Sequence, residues 1–119
     1  LPMMVYRIRY RFGWGQVGPE IQRLVDSLKA QHAVPFLAFG FCFGGYVLIK
    51  ACTLGCFSAG VGFHPSPWLC KLQSHPHTQT VPELAKEVTC PLLMVPASND
   101  ETTIKPGGEF MEVVSSAFP

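Results

Sequence analysis

One cysteine lies in a turn whose neighbours favour chemistry. Residues 40–45 read Gly-Phe-Cys-Phe-Gly-Gly, between an apolar run of strand length and the start of a helical pattern. We expect a sharp turn here, completed by Gly45, in which a Cβ atom at Gly40 or Gly44 would collide because the strand and helix approach closely. Such a turn presents Cys42 as a nucleophile at the strand's carboxyl end. The alternative is a cysteine buried as a small apolar residue.

The peptide that follows Cys42 is expected to stabilise negative charge. The first amides of a helix lack partners within the helix and form its positive dipole end. Beside Cys42 they favour the thiolate, and the Phe43 amide is placed to hold an oxyanion formed from a carbonyl group. We therefore expect thiolate attack at this turn.

Two carboxylates follow a later apolar run. Asp100 and Glu101 come shortly after residues 92–97, and open sheets place functional groups at the carboxyl ends of their strands. Either carboxylate, Asp100 or Glu101, could orient an imidazole. The structural alternative is that Asp100 forms a turn.

His64 directly follows a third apolar run, residues 57–63, at the end of the sheet where Cys42 is also expected. We expect His64 and Phe41 to line a pocket, or His64 to be a hydrogen-bonded structural residue. A role for His64 as a stand-in general base is the alternative.

The elements that position these residues alternate between helix and strand. Apolar spacing and turn residues predict helices at residues 18–29, 44–52 and 82–87 and from Pro106 onward, and strands at residues 34–39, 57–63 and 92–97. This alternation predicts an α/β fold, with an open, mostly parallel sheet and helices on both faces. Residues 6–12 alternate apolar side chains with arginines, which predicts a further, half-exposed strand.

The turn, the helix before it, the Phe-His-Pro-Ser stretch at residues 63–66 and residues 90–100 together resemble the dienelactone hydrolase family, over about residues 19–114. The resemblance implies a partial α/β-hydrolase fold that cleaves lactones or related esters through a thioester, without a cofactor. It also implies a Cys, Asp, His triad, in which Cys42 matches the nucleophile and Asp100 the acid.

The third member of that triad has no counterpart here. In the superfamily the histidine follows the acid in the chain, whereas no histidine follows Asp100. We therefore expect residues 1–119 to form a single, incomplete hydrolase domain.

Composition excludes several other classes of protein. The net charge of +1 disfavours nucleic acid and membrane surfaces as partners, and 48% hydrophobic residues with 14% charged residues exclude a disordered chain. The uncharged run at residues 33–49 is interrupted by Pro35 and glycines, so we do not expect a membrane span.

The five cysteines indicate reduced thiols, because their number is odd and their density is below that of secreted disulfide scaffolds. We expect a cytoplasmic protein that holds no metal. A zinc site would have to combine one close cysteine pair with a third cysteine and two histidines: Cys52, Cys56, Cys70, His75 and His77.

Two other functions stay open. The chain is either a non-catalytic remnant that binds another protein or itself through exposed sheet edges, or a protein whose Cys42 senses oxidants.

Overall fold

A three-stranded parallel sheet forms the centre of the protein. The computed structural model describes residues 3, 6–73 and 78–119. The strands are β1 (Leu37–Phe41), β2 (Ala59–Phe63) and β3 (Leu92–Val95), in the order β1-β2-β3. Leu37 pairs with Ala59, and Gly60 pairs with Leu92. All pairing is parallel, which confirms the predicted α/β class.

Four α-helices connect and flank these strands. They are α1 (Trp14–Gln31), α2 (Phe43–Ala51), α3 (Val81–Glu87) and α4 (Glu109–Ala117), with short 3₁₀ segments at Pro67–Leu72 and Thr102–Ile104. Among the described residues, no helix combines the length and apolar character needed to cross a bilayer.

Helix α1 begins earlier than predicted and contains Pro19 in its interior. The amide of Trp14 donates to Oε1 of Gln73 at 2.9 Å. The indole of Trp14 also packs against Gly18, where an added Cβ would lie 2.9 Å from a ring carbon. This long-range anchor explains why the helix starts before the Gly-Pro pair.

The predicted strand at residues 6–12 is wrong. Arg7–Arg11 form a π-helical segment, closed by the Phe12 amide, which donates to the Arg7 carbonyl at 2.8 Å. The rings of Tyr6 and Tyr10 meet at 5.2 Å between centroids. An alternating pattern becomes a strand only where a neighbouring strand satisfies its backbone, and no described strand pairs with this segment.

The core lies on one face of the sheet. Helices α2, α3 and α4 contribute fully buried side chains, among them Tyr46, Ile49, Leu84 and Phe110. Gly60 lets α2 approach the sheet, because a Cβ at that position would meet Cys52 Sγ at 2.9 Å. Close helix-to-sheet packing therefore depends on residues without side chains.

The opposite face of the sheet is exposed in the described part of the chain. Large apolar side chains there keep between 42% and 73% of their surface accessible: Leu37, Phe39, Phe41, Leu93 and Val95. We predicted helices on both faces of the sheet, and the described residues confirm this for one face only. Strands β1 and β3 are the outer strands of the sheet, and self-association through their edges stays a prediction.

Candidate functional site

Cys42 lies between β1 and α2, with a backbone conformation rare for a side-chain-bearing residue. Its φ of 52° and ψ of −116° place it outside the regions that L-residues prefer. The Cys42 amide donates to the Phe63 carbonyl at 3.1 Å, and its carbonyl accepts from Gly45 at 3.0 Å. Its side chain is exposed. The turn therefore fixes the backbone and leaves the thiol accessible to solvent.

Two of the three turn glycines are sterically required. A Cβ at Gly40 would lie 2.2 Å from the Gly44 carbonyl oxygen, and one at Gly45 would lie 2.6 Å from the Pro65 side chain. The expectation for Gly44 is wrong, because a Cβ there meets no atom within 4 Å. Gly44 contributes its carbonyl oxygen to the close contact with Gly40, whereas a side chain at Gly44 itself would extend into open space.

The Phe43 amide has no hydrogen-bond acceptor in the part of the chain that the structure describes. Helix α2 begins at Phe43, with Cys42 as its N-cap. The first helix amides have no carbonyl one turn earlier to bond, and within the described ranges no acceptor is paired with the Phe43 amide. An N–H donor is thus available directly beside the exposed thiol.

Asp100 lies beyond the carboxyl end of β3 and forms a turn. Its Oδ2 accepts from the Ala97 amide at 2.6 Å, and its own amide donates to the Ala97 carbonyl at 3.1 Å. Oδ1 has no described partner within the chain. The predicted acid thus has the turn-forming role of the alternative interpretation while one oxygen stays available.

Glu101, the second candidate acid, links two loops. Its Oε1 accepts from the Trp68 amide at 3.2 Å, which connects the segment after β3 to the segment after β2. This contact positions the loops at the edge where the strands end.

His64 follows β2 at the same edge of the sheet and is exposed. Its φ of 35° is positive, and its amide donates to the Val95 carbonyl at 2.8 Å. The imidazole lies 6.4 Å from the Phe41 ring, which stacks on Phe63 at 4.7 Å. The carboxyl ends of the three strands therefore bring Cys42, His64 and Asp100 to one edge.

An apolar cavity of about 330 Å³ lies beside the turn, between α1, α2 and β1. Its lining includes the two glycines of the strand-to-helix approach and apolar side chains: Ile21, Phe39, Gly40, Gly44, Val47 and Phe57. The predicted pocket residues Phe41 and His64 do not line this cavity. Sequence reasoning missed it because α1 had to be placed against β1 first.

A second cavity of about 430 Å³ surrounds a lysine that sequence reasoning also missed. Lys50, on α2, is only 4% exposed and donates to Oε1 of Gln79 at 2.6 Å. Its ammonium lies 5.5 Å from the Trp14 ring centroid. Burial lowers the pKa of Lys50, while the Glu87 carboxylate acts in the opposite direction. A charged residue within an apolar helix was the available signal.

The part of the chain that the structure describes contains no candidate metal site. No three of its His, Cys, Asp or Glu side chains lie close enough together to hold a metal ion. Two of the residues weighed for a zinc site, His75 and His77, lie outside the described residues.

Comparison with known proteins gives one match. A model of the dienelactone hydrolase family matches residues 8–116 of the 119. The matched range extends beyond both ends of the stretch, about residues 19–114, that resembles the family. Neither a curated protein nor a solved structure matches the chain. The family match supports a hydrolase-like function in general, and the chain belongs to the dienelactone hydrolase family.

Proposed function

We propose that the protein acts on carboxylic esters or lactones with Cys42 as the nucleophile. The observation that carries this proposal is an exposed thiol held at a positive φ, next to the Phe43 amide, which has no acceptor among the described residues. Strained backbone at an accessible nucleophile is typical of functional sites. Membership in a hydrolase family supports the same reaction class.

The first step forms a thioester. The Cys42 thiolate attacks the carbonyl carbon, and the carbonyl π electrons move to oxygen, where the Phe43 N–H donates a hydrogen bond to the oxyanion. When the carbonyl re-forms, the C–O bond to the alcohol breaks, and the alkoxide leaves with a proton taken from water. For a lactone, that alcohol stays attached to the acyl group.

The second step requires a base that activates water against the thioester. No histidine follows Asp100 in this chain, and one oxygen of Asp100 is held by Ala97. His64 lies at the same edge, but no carboxylate is paired with it within the described residues. We therefore expect acylation of Cys42 followed by slow deacylation.

An activated ester tests this directly. With p-nitrophenyl acetate, the 119-residue chain should release one equivalent of nitrophenolate in a burst, and the acetyl group should appear on the peptide that contains Cys42. The Cys42→Ala variant should lose the burst, whereas Cys56→Ala, which removes a partly exposed thiol away from the turn, should keep it.

Two results would contradict the proposal. A full burst in Cys42→Ala, or acetylation of another cysteine, would remove Cys42 as the nucleophile. Sustained turnover by the unmodified chain would instead show that deacylation finds a base among the residues present.

A further inference from the structure

The buried lysine on α2 lacks a counter-ion. Lys50 is 4% exposed, its ammonium donates to Oε1 of Gln79 at 2.6 Å, and it lies 5.5 Å from the Trp14 ring centroid. Both of these partners are uncharged. Among the residues that the structure describes, no carboxylate forms an ion pair with Lys50. Because a buried charge loses its hydration and is normally paired, this ammonium has unused capacity for an anionic group.

The cavity beside Lys50 gives such a group room to enter. Its volume is about 430 Å³, which lies in the range of small-molecule sites, and it is open to solvent. The buried Lys50 forms one part of its wall, and the exposed carboxylates of Glu83 and Glu87, one turn apart on α3, form another. The cavity therefore has a buried positive part and an exposed acidic part.

Hydrogen bonds hold the wall of this cavity in place. The Trp14 amide donates to Oε1 of Gln73 at 2.9 Å, which fixes the start of α1. The amide and the hydroxyl of Thr80 both donate to Oε2 of Glu83, each at 2.8 Å. A site that is ordered before its ligand arrives loses less conformational freedom on binding.

The charges in the wall discriminate between classes of ligand. Glu87 acts on Lys50 electrostatically without forming an ion pair with it, so a ligand can lie between the two groups. A simple anion would pair with Lys50 but would be repelled by both glutamates. A simple amine would be attracted by the glutamates and would leave Lys50 unpaired. A molecule with a carboxylate and an ammonium group meets an opposite charge at both ends.

We propose that this cavity binds a small zwitterionic molecule, with its carboxylate on the Lys50 ammonium and its ammonium group at Glu83 and Glu87. Amino acids are the simplest members of this class. The contact with Lys50 should contribute more to affinity than the contact with either glutamate, because Lys50 is buried and both glutamates are exposed to solvent. Cys42 and Phe43 do not line this cavity.

A titration with three amino acids of increasing spacer length tests the proposal. Glycine, β-alanine and γ-aminobutyrate are added to the full chain, and binding is followed by nuclear magnetic resonance of its amide and indole N–H groups. We expect at least one of them to bind saturably, with a dissociation constant on the order of 1 mM. The signals of Trp14, Thr53 and Gln79 should shift, since all three residues line the cavity.

Analogues that lack one charge test whether both ends are recognised. For the amino acid that binds tightest, the carboxylic acid and the amine of the same chain length serve as controls. Each should bind the unsubstituted protein about tenfold more weakly or worse, because one pair of charges is lost.

Matched variants separate the two contacts. Lys50→Met should weaken binding by at least about tenfold. Lys86→Met removes an exposed lysine of α3 that does not line the cavity, and it should leave the affinity unchanged. Glu87→Gln should weaken binding roughly threefold, whereas Glu112→Gln, an exposed position on α4, should have no effect.

Four results would overturn the proposal: no saturable shifts with any of the three amino acids, shifts confined to the Cys42 turn, equal binding of an analogue that lacks one charge, or unchanged affinity in Lys50→Met. If Lys50→Met fails to fold, the analogues still decide the outcome on the unsubstituted protein. The titration contains no ester, so none of these results depends on acylation of Cys42.

Discussion

Helix α2 has a cysteine at each end, and the two differ in solvent exposure and in backbone conformation. Cys42, its N-cap, is exposed and has a φ of 52°. Cys52, its C-cap, is fully buried and has an ordinary helical φ of −68°. The Cys52 amide donates to the Leu48 carbonyl at 2.9 Å, whereas the amide after Cys42 has no described acceptor.

The difference shows that position on the helix, and not residue type, decides what each sulfur can do. At the start of α2 the Cys42 side chain is exposed, beside an amide that has no acceptor among the described residues. At its end, burial raises the pKa of the Cys52 thiol, and the interactions with Cys90 act in the same direction. One short helix thus exposes a sulfur at one end and buries another at the opposite end.

The largest expected effect comes from filling the space under the Cys42 turn. Gly40→Ala places a methyl group 2.2 Å from the Gly44 carbonyl oxygen, which is a backbone atom that cannot rotate away. We expect a loss of about 3 kcal/mol or more in the free energy of unfolding, measured by urea denaturation. Gly44→Ala is the matched control, and it should be neutral or stabilising by up to about 1 kcal/mol. Equal effects of the two variants would contradict the proposed strand-to-helix approach.

A smaller effect is expected at the buried end of the helix. Removing the sulfur with Cys52→Ala should cost about 1 to 2 kcal/mol at pH 7 in reducing buffer, because a cavity remains in the core. The native thiol also resists ionisation above its ordinary pKa of 9.0. Its contribution is therefore complete below pH 9 and is lost as pH rises further, by at most about 1.4 kcal/mol per pH unit.

The pH dependence separates this titration from the cavity. Above pH 9, the stability of Cys52→Ala should fall less steeply with pH than that of the unsubstituted protein. Val114→Ala, which opens a cavity at another buried residue but removes no ionisable group, should keep the original steepness. Parallel curves for all three proteins would show that Cys52 ionises equally in the folded and unfolded states.

The smallest effect compares backbone strain at the two ends. Because Cys42 has a positive φ, Cys42→Gly should be more stable than Cys42→Ala by about 1 kcal/mol. At Cys52, where the backbone is helical, the order should reverse by a similar amount. Both pairs can be measured by the midpoint of thermal unfolding, and the same order at both ends would remove the argument from strain.

Much of the fold followed from local pattern. The apolar runs predicted the three strands, with shifts at their ends: β1 occupies Leu37–Phe41 and not residues 34–39. Its limits are set by pairing with Ala59–Phe63, which a single strand cannot reveal. The alternation at residues 6–12 failed for the same reason, because a strand needs a partner and that segment has none among the described strands.

For the candidate site, the glycine spacing indicated the turn and the exposed cysteine, but not the atoms that make contact. That Gly40 meets the Gly44 carbonyl, and that Gly45 packs on Pro65, depends on the separation between helix and strand. Likewise, Asp100 was found by its place after β3, while its hydrogen bond to Ala97 depends on how that loop closes.

By itself, the sequence determined the parallel α/β class and the turn that carries Cys42, because these depend on periodicity and on short-range steric demands. The dienelactone hydrolase family was identified from the sequence by its resemblance to that family. Tertiary structure alone decided which face of the sheet is buried, where Lys50 lies, and that Thr89 donates to the Cys52 carbonyl. Those contacts join residues far apart in the chain, and only the packing of helices on the sheet brings them together.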